Sequence, residues 1–435
     1  MSLSSGAAIA GEVKLGGRMI VESPISFANA TVNYTLDYRT PQSESLISNL
    51  GNVSNVSSLG IQISRRETYG SYTLASNTTT GNAVVMYNMA SGGTSMCALS
   101  SGVTNASATY LHRSYTMTNS GGVITMGVSG AYTRCDFQPN GISDVIFLES
   151  GSQHRVGYWL DGTNDWVAET SLAFDWDVLG GYDMNFDHRA DLLVYNVSGG
   201  SATIGYYESG DMSQWQTLGT RNVTDADWDM KVGNLTGNTG KNSLVWHDKS
   251  SGTLDVWTDG TTSSTTLGSY AGSSGWAMQG CGDFDGDGKD EVLMTLNVSE
   301  FRAVELTGST GVETMLGTAT WTGWKVGAIG DFASMVGNDY TAGDGKDDII
   351  LFYQETGSMV KLINGSATNY ESIGQLDAND WFVVGCGDYN GDQKDDLLVR
   401  QYSTGMLGYY SEGIHDTSHW NNMGYGVDIS WTVIA

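Results

Sequence analysis

Tryptophan recurs along most of this chain at nearly equal intervals. Successive members of the series are separated by 52, 48, 48, 57 and 50 residues. A fixed period of this length is the sequence signature of a repeat architecture, in which each repeat is one supersecondary unit. The chain is therefore expected to fold as a series of similar units. The series is Trp176, Trp228, Trp276, Trp324, Trp381 and Trp431.

Each repeat has the pattern of four short β-strands. The tryptophan begins the first strand, and a mostly apolar run follows an acidic loop, as in 291–296 and 396–401. A run that is apolar at consecutive positions is typical of a strand buried on both faces. Glycine-containing turns and further aromatic strands complete the unit. Four strands in about 48 residues is the size of a propeller blade.

The two ends of the chain predict how a ring of such blades closes. Residues 430–435 have the first-strand pattern with no second strand after them, and residues 82–88 have the second-strand pattern with no tryptophan strand before them. If residues 123–132 form a first strand without tryptophan, seven first strands and seven second strands are present. The predicted fold class is therefore all-β, a seven-bladed β-propeller of four-stranded blades whose C-terminal strand closes the N-terminal blade.

The predicted division of the chain lies at residue 75. Residues 76–435 are assigned to the propeller, and residues 1–75 to an N-terminal β-rich extension that packs on the ring or forms an arm to a neighbouring subunit. Six blades with an unrelated N-terminal domain is the alternative. The first ten residues lack the basic and apolar segments of a signal peptide.

Composition excludes several classes of protein. Hydrophobic residues make up 40% of the 435 residues, which is enough for a large core and excludes global disorder. The net charge is −28, from 20 basic and 48 acidic residues, so nucleic acid is not an expected partner. No run approaches 18 apolar residues, so no transmembrane segment is predicted.

The acidic loops carry oxygen-bearing side chains at a regular spacing. Loop 283–291 has Asp283, Asp285, Asp287 and Glu291 at positions 1, 3, 5 and 9. With the main-chain carbonyl of position 7, such a loop can surround Ca²⁺, which accepts six to eight oxygens at loose geometry. Ordinary Asp-rich turns are the alternative, but the loops recur in phase with the tryptophans. Calcium is the predicted cofactor, at about three to five sites.

The remaining predicted ligands occupy the same loop positions, with position 7 contributing its carbonyl oxygen. Loop 234–243 has no carboxylate and is predicted to be free of metal. The ligands are Lys289 in the loop above; Asp388, Asn390, Asp392, Lys394 and Asp396; Asp183, Asn185, Asp187, Arg189 and Asp191; Asp331, Asp344, Lys346 and Asp348, around an insertion; and Asp136, Gln138, Asn140, Ile142 and Asp144.

Two stretches, 276–294 and 381–399, combine the tryptophan, a Gly-Asp pair, the acidic loop and the apolar strand most completely. This pattern resembles the FG-GAP/VCBS repeat of bacterial surface proteins and of the integrin α-subunit propeller. The resemblance extends over residues 80–435. It implies a calcium-binding propeller that is secreted or at the cell surface. Such propellers include adhesion modules, lectins, scaffolds and occasional lyases, so an activity does not follow.

The predicted function is a calcium-stabilised, non-enzymatic adhesion or assembly module. The expected partner is a protein or glycan ligand at the cell surface, with self-assembly through the N-terminal arm as one form. Two alternatives stay open, a lectin binding glycans between blades and a secreted lyase or hydrolase acting on polysaccharide. For a lectin, the ligand contacts would come from the tryptophans outside the period, which are Trp159, Trp166, Trp215, Trp257, Trp321 and Trp420.

Four cysteines are too few for a disulfide scaffold in a chain of this length. Cys135, Cys281 and Cys386 stand beside the acidic loops and are predicted to be small buried residues. A disulfide between Cys97 and Cys135 stays open.

Overall fold

The fold is that of a computed structural model of the chain. The structure describes residues 133–435 except 139, 151–153, 174, 188, 224–227, 238–241, 337–338, 342, 393, 425–427, 429 and 435, and, before residue 133, Gly121 and the strands given below. The chain divides into two compact units. The first contains Met1–Ala131 and Gln138–Gly141, and the second contains Tyr132–Phe137 and Ile142–Ala435.

The first unit is built of β-strands, many of which pair in parallel. Successive strands along the chain join three different sheets in turn and pair with parallel equivalents, which is the topology of a β-solenoid. An antiparallel group follows at 105–130. The described strands are Glu12–Leu15, Met19–Ile20, Ile25–Ser26, Thr31–Thr35, Ile47–Ser48, Val53–Ser54, Ser58–Ile63, Gly70–Ala75, Val84–Asn88, Ser95–Leu99, Asn105–Tyr110, Arg113–Ser120 and Val123–Gly130.

Within its described residues, the second unit contains six four-stranded antiparallel sheets, here called blades 1 to 6. In blades 2 to 6 the strands pair in chain order. Blade 1 takes its first strand from the C-terminus. The strands are Trp431–Ile434, Val145–Glu149, Arg155–Leu160 and Asp165–Ser171 (blade 1); Trp176–Tyr182, Asp191–Ser198, Ser201–Tyr207 and Trp215–Asn222 (blade 2); Trp228–Gly233, Ser243–Asp248, Thr253–Trp257 and Ser264–Ser269 (blade 3); Trp276–Gly282, Glu291–Leu296, Glu300–Thr307 and Thr310–Thr318 (blade 4); Lys325–Gly330, Asp348–Tyr353, Ser358–Leu362 and Tyr370–Gln375 (blade 5); and Trp381–Gly387, Asp396–Gln401, Leu407–Tyr410 and Trp420–Gly424 (blade 6).

The first strands of the blades form a closed ring. Each contacts the first strands of the two neighbouring blades, and the last contact joins blade 6 to blade 1. Six apolar clusters fill the six junctions between blades. The second strands supply both sides: Leu192 and Val194 pack toward blade 1, whereas Leu193 packs toward blade 3. This double burial explains why the second strands are apolar at consecutive positions.

The prediction of an all-β propeller of four-stranded blades is confirmed, but its number of blades and its closing partner are corrected. The C-terminal strand pairs with Val145–Glu149, in the register Phe147 to Val433, and not with residues 82–88. Val84–Asn88 lies between a parallel and an antiparallel neighbour in the first unit. Its apolar run resembles a blade's second strand because consecutive apolar positions are typical of parallel strands in general.

The boundary between the two units also differs from the predicted one at residue 75. Val123–Gly130 was expected to begin a blade, yet it pairs with Arg113–Ser120 and Gly70–Ala75 in the first unit. The six-bladed alternative with a separate N-terminal unit is therefore the arrangement observed. The insertion predicted in loop 331–348 forms a small hairpin, Ser334–Val336 with Asp339–Thr341.

Three cysteines and two of the aperiodic tryptophans are buried or half-buried in the second unit. Cys135 and Cys386 are buried thiols, Cys281 is half-buried, and all three are free; the Cys97 side chain lies outside the described residues. Trp159 and Trp257 are buried, which removes them as exposed ligand contacts.

No helix in the described part of the chain has the length and apolar character needed to span a membrane.

Candidate functional site

The acidic loops lead into the second strands, and their first aspartate organises each loop. Asp283 accepts backbone N–H groups from Gly286 (2.6 Å) and Asp287 (3.2 Å) through Oδ1, and from Gly288 (2.8 Å) through Oδ2. Gly286 and Gly288 have φ of +80° and +86°, a conformation that favours glycine. Asp183 and Asp388 accept the amides of their own positions 4 and 5 in the same way. The three loops therefore share one backbone shape.

Position 5 fixes the next part of the loop. Its carboxylate accepts the amide of position 7, for example from Lys289 to Asp287 at 2.9 Å. The same bond forms from Arg189 to Asp187, from Lys394 to Asp392 and from Lys346 to Asp344. These hydrogen bonds position the residue that was predicted to contribute its carbonyl oxygen.

Position 9 clamps the loop to the turn between the third and fourth strands. One oxygen of Asp396 accepts the amide of Tyr389 in its own loop (2.9 Å), and the other accepts the amide of Glu412 in that turn (2.9 Å). Asp191 and Asp144 do the same with their own loops and turns. These carboxylates have a structural role that the ligand prediction did not include.

Glu291 departs from this arrangement. Its Oε2 accepts the Phe284 amide at 2.9 Å. In blade 4 the third and fourth strands are joined by a tight turn, with Thr307 paired to Thr310, and no amide of that turn reaches the glutamate. Glu291 is 4% exposed, and its Oε1 has no hydrogen-bond partner. A buried carboxylate oxygen without a donor is costly unless a cation or another polar group reaches it.

Four carboxylates of this loop come together. Asp283, Asp285, Asp287 and Glu291 each place one ligand oxygen within 4.8 Å of the others, and this is the one such group of three or more acidic, His or Cys residues within the described part of the chain. Lys289 donates to Asp287 at 2.7 Å and to Glu305 at 3.0 Å, so a single ammonium borders the group.

The environment of position 9 disfavours an uncompensated charge. Burial raises the pKa of Glu291 to about 8. The same cause raises the pKa of Asp191 and of Asp348 to about 7, and that of Asp396 to about 9. A cation at these loops would favour the ionised carboxylates that calcium requires.

The other predicted ligands fall into two groups. Asp136, Asn140 and Asp144 are buried, and both oxygens of Asp144 accept backbone amides. In loop 331–348, each predicted carboxylate has a side-chain partner: Asp331 with Lys394, Asp344 with Asn364, and Asp348 with Lys361. Neither loop brings its carboxylates together as loop 283–291 does.

Position 8 of each loop, which was not predicted to be a ligand, links neighbouring blades by hydrogen bonds. Its amide donates to the carbonyl of position 1 in the preceding blade, over N–O distances of 2.6 to 3.4 Å. The bonds form a closed circle around the ring. They run from Ala190 to Asp136, Asn242 to Asp183, Asp290 to Asn234, Asp347 to Asp283, Asp395 to Asp331, and Ser143 to Asp388.

Three of these position-8 residues add a second bond in the opposite direction. Oδ2 of Asp290, Asp347 and Asp395 accepts the position-1 amide of the preceding blade, at 2.7, 2.9 and 2.9 Å. A glycine before position 1 makes room for the carboxylate, since a Cβ at Gly330 would lie 2.4 Å from Asp395 Oδ2. Three loops end in an acidic pair, Asp-Asp or Asp-Glu, and the two residues of each pair have different roles. The first residue links blades, and the second clamps its own loop.

Several aperiodic tryptophans form a second regular set. Trp215 packs edge-to-face on Trp176 at 5.2 Å, and Trp420 packs on Trp381 at 5.4 Å. Each lies over a glycine of the third strand of its blade. Trp166, which is 36% exposed, has the same relation to Trp431. Trp215 and Trp420 each follow the first-strand tryptophan of their own blade by 39 residues, and this equal spacing is the signal that could have identified the pairing.

Comparison with known proteins gives structural similarity at low sequence identity. No protein-family model matches the chain, and no curated protein matches it. Similar solved structures include a protein of unknown function from Bacteroides caccae (13% identity, 64% of this chain and 93% of that chain, TM-score 0.36). A nidogen/laminin complex is similar at 10% identity, over 67% of this chain and 95% of that chain, with a TM-score of 0.35. An auxiliary nutrient binding protein from Bacteroides thetaiotaomicron is similar at 10% identity, over 71% of this chain and 67% of that chain, with a TM-score of 0.30. At these scores no function follows for this chain.

Proposed function

We propose that this chain is a calcium-stabilised β-propeller, secreted or at the cell surface, that acts as a non-enzymatic adhesion or assembly module. The observation that supports it most is Glu291, a buried carboxylate with one unpartnered oxygen, in a group with Asp283, Asp285 and Asp287. Four carboxylates so close together repel one another, and a divalent cation would offset that repulsion.

The donor atoms fit calcium better than other metals. All four residues offer carboxylate oxygens, whereas zinc favours nitrogen and sulfur ligands and magnesium demands stricter geometry. Loops 183–191 and 388–396 share the backbone shape of loop 283–291 and are the next candidates. Open loop sites of this kind suit the millimolar calcium outside cells, and the FG-GAP/VCBS resemblance at residues 276–294 agrees with that location.

The non-enzymatic role rests on how the loop carboxylates are used. At position 9, Asp144, Asp191 and Asp396 each accept two backbone amides. A carboxylate held in this way stabilises the loop and is poorly placed to exchange protons with a substrate. A lectin would need exposed aromatic platforms. Trp215 and Trp420 pack within their blades, which leaves Trp166 as the exposed tryptophan of that set.

Calcium removal is expected to lower the unfolding temperature of the full chain. A ligand at 100 times its dissociation constant stabilises the folded state by about 2.7 kcal/mol per site. Thermal unfolding with calcium and with a chelator measures the difference. Asp287→Ala should reduce the calcium-dependent shift. Asp211→Ala, in an exposed turn where the carboxylate accepts the Ser213 amide, is the matched control and should leave the shift unchanged. Identical unfolding temperatures with and without chelator would contradict the proposal.

The partner class follows from an uneven charge distribution. Residues 132–435 contain 14 basic and 43 acidic side chains, a net charge of −29, whereas residues 1–131 contain 6 and 5. Adhesion through so acidic a surface requires a basic partner or bridging cations. We expect sedimentation of the full chain to show self-association in calcium that is lost in chelator. A monomer under both conditions, together with binding on a glycan array, would favour the lectin instead.

A further inference from the structure

Lys361 is an unusual residue for its position. It is the penultimate residue of the third strand of blade 5 and is 1% exposed. Its Cα partner on the second strand is Ile350, the second residue after position 9. At the equivalent place the other blades have an uncharged residue. These are Tyr158, Tyr206, Val256, Ala303 and Tyr409.

The Lys361 ammonium is surrounded by oxygen atoms of the loop and of its own blade. Nζ donates to the Ala333 carbonyl oxygen, lies 3.3 Å from Ser334 Oγ, and is 2.7 Å from Glu371 Oε1. Asp348 Oδ2 is 3.7 Å away. Ala333 and Asp348 are positions 3 and 9 of the loop, two positions at which the calcium pattern expects ligands. Lys361 therefore places a positive charge beside both of these positions.

Other oxygen atoms of loop 331–348 also have partners from neighbouring residues of the protein. Lys394 of blade 6 lies 3.5 Å from Asp331 Oδ2 and donates to the Gly343 carbonyl oxygen at 2.9 Å. Asp331 Oδ1 has no hydrogen-bond partner, but the Gly343 backbone covers it, since a Cβ there would lie 2.1 Å away. Asp344 Oδ2 accepts the Asn364 side-chain amide at 3.2 Å.

We propose that Lys361 acts as a built-in cation in blade 5, so that loop 331–348 is closed by an ammonium group and does not bind calcium. The inference rests on the proposed function, in which other loops of the ring do bind calcium. It corrects the ligand set predicted from Asp331, Asp344, Lys346 and Asp348. A buried ammonium is tolerated only when paired, and Glu371, opposite Lys361 on the fourth strand, supplies that pairing.

The test compares two exposed aspartates at position 5, one in each kind of loop. The number of calcium ions bound by the full chain is measured by equilibrium dialysis with metal analysis, for wild type, Asp287→Ala and Asp344→Ala. We expect Asp287→Ala to bind one ion fewer than wild type, and Asp344→Ala to bind the wild-type number. Loss of one ion in Asp344→Ala would overturn the inference and leave the proposed function standing. A wild-type chain that binds no calcium would instead overturn the proposed function.

A second variant tests the lysine directly. Lys361→Ala removes the ammonium and leaves space beside Asp348, Glu371 and the Ala333 carbonyl. We expect the unfolding temperature of Lys361→Ala to depend more strongly on calcium than that of wild type, because a metal ion can then take the place of the ammonium beside these oxygens. A calcium-dependent shift equal to that of wild type would contradict the role assigned to Lys361. If this variant does not fold, the Asp344→Ala comparison still decides the matter.

Discussion

Deletion of residues 427–435 is expected to unfold the propeller. It removes Trp431–Ile434, which forms the first strand of blade 1 and pairs with Val145–Glu149. Val145–Glu149 would then have an open edge at the centre of the ring, and the first strand of blade 6 would lose its contact with the first strand of blade 1. A frayed terminus usually tolerates such trimming, but this one completes both a sheet and a ring.

The deletion also removes two buried groups of contacts. Trp431 belongs to the apolar cluster between blades 6 and 1, and loss of a buried tryptophan side chain alone costs about 3–5 kcal/mol. Arg400, 4% exposed, donates to the carbonyl oxygens of Trp431 and Asp428. Without them its buried charge would lack those acceptors. The combined loss approaches the whole stability of a typical domain, about 5–15 kcal/mol.

Thermal unfolding and solubility of the truncated chain measure the effect. Trp431→Ala should give an intermediate loss of stability, and Thr432→Ala, at an exposed position of the same strand, should change the unfolding temperature little. A soluble truncated chain with the unfolding temperature of the full chain would show that blade 1 does not need its C-terminal strand.

Replacing Asp290, Asp347 and Asp395 together by alanine is expected to be the most damaging change that leaves the chain intact. Each carboxylate accepts the position-1 amide of the preceding blade. An amide left without an acceptor when buried costs about 1–3 kcal/mol. If the three losses add, the free energy of unfolding falls by about 3–9 kcal/mol.

Asparagine at the same three positions is the matched control, because its carbonyl oxygen can still accept the amide. Burial raises the pKa of all three carboxyls, and the Arg134 guanidinium opposes that rise. Chemical denaturation of both triple variants separates the two contributions. We expect the asparagine variant to keep most of the stability. Equal losses in both variants would mean that the pairing of charge with Arg134, rather than the hydrogen bonds, stabilises the junctions.

Much of the second unit was predictable from local patterns. The tryptophan period, the apolar second strands and the acidic loops each depend on interactions within one blade or between adjacent ones, so they repeat wherever the unit repeats. The spacing of Asp283, Asp285, Asp287 and Glu291 likewise predicted the group that the fold brings together. Periodicity identifies such features because each repeat packs on its neighbours in the same way.

The number of blades could not be read in the same way. Residues 82–88 and 145–149 are both short apolar runs, and only the pairing of the C-terminal strand distinguishes them. Strand pairing is a long-range interaction, and the apolar pattern is the same for any strand buried on both faces. The predicted count of seven therefore included a strand of the first unit.

The sequence by itself determined the type of repeat, the all-β class and the loops at which cations are expected, because these depend on residues close together in the chain. The tertiary structure alone decided which loops keep their carboxylates available. Glu291 has a free oxygen because the turn of blade 4 offers it no amide. Asp348 faces Lys361, 13 residues later, because the second and third strands of blade 5 pair in that register. Loops that share part of the acidic pattern thus also differ through the neighbours that folding brings to them.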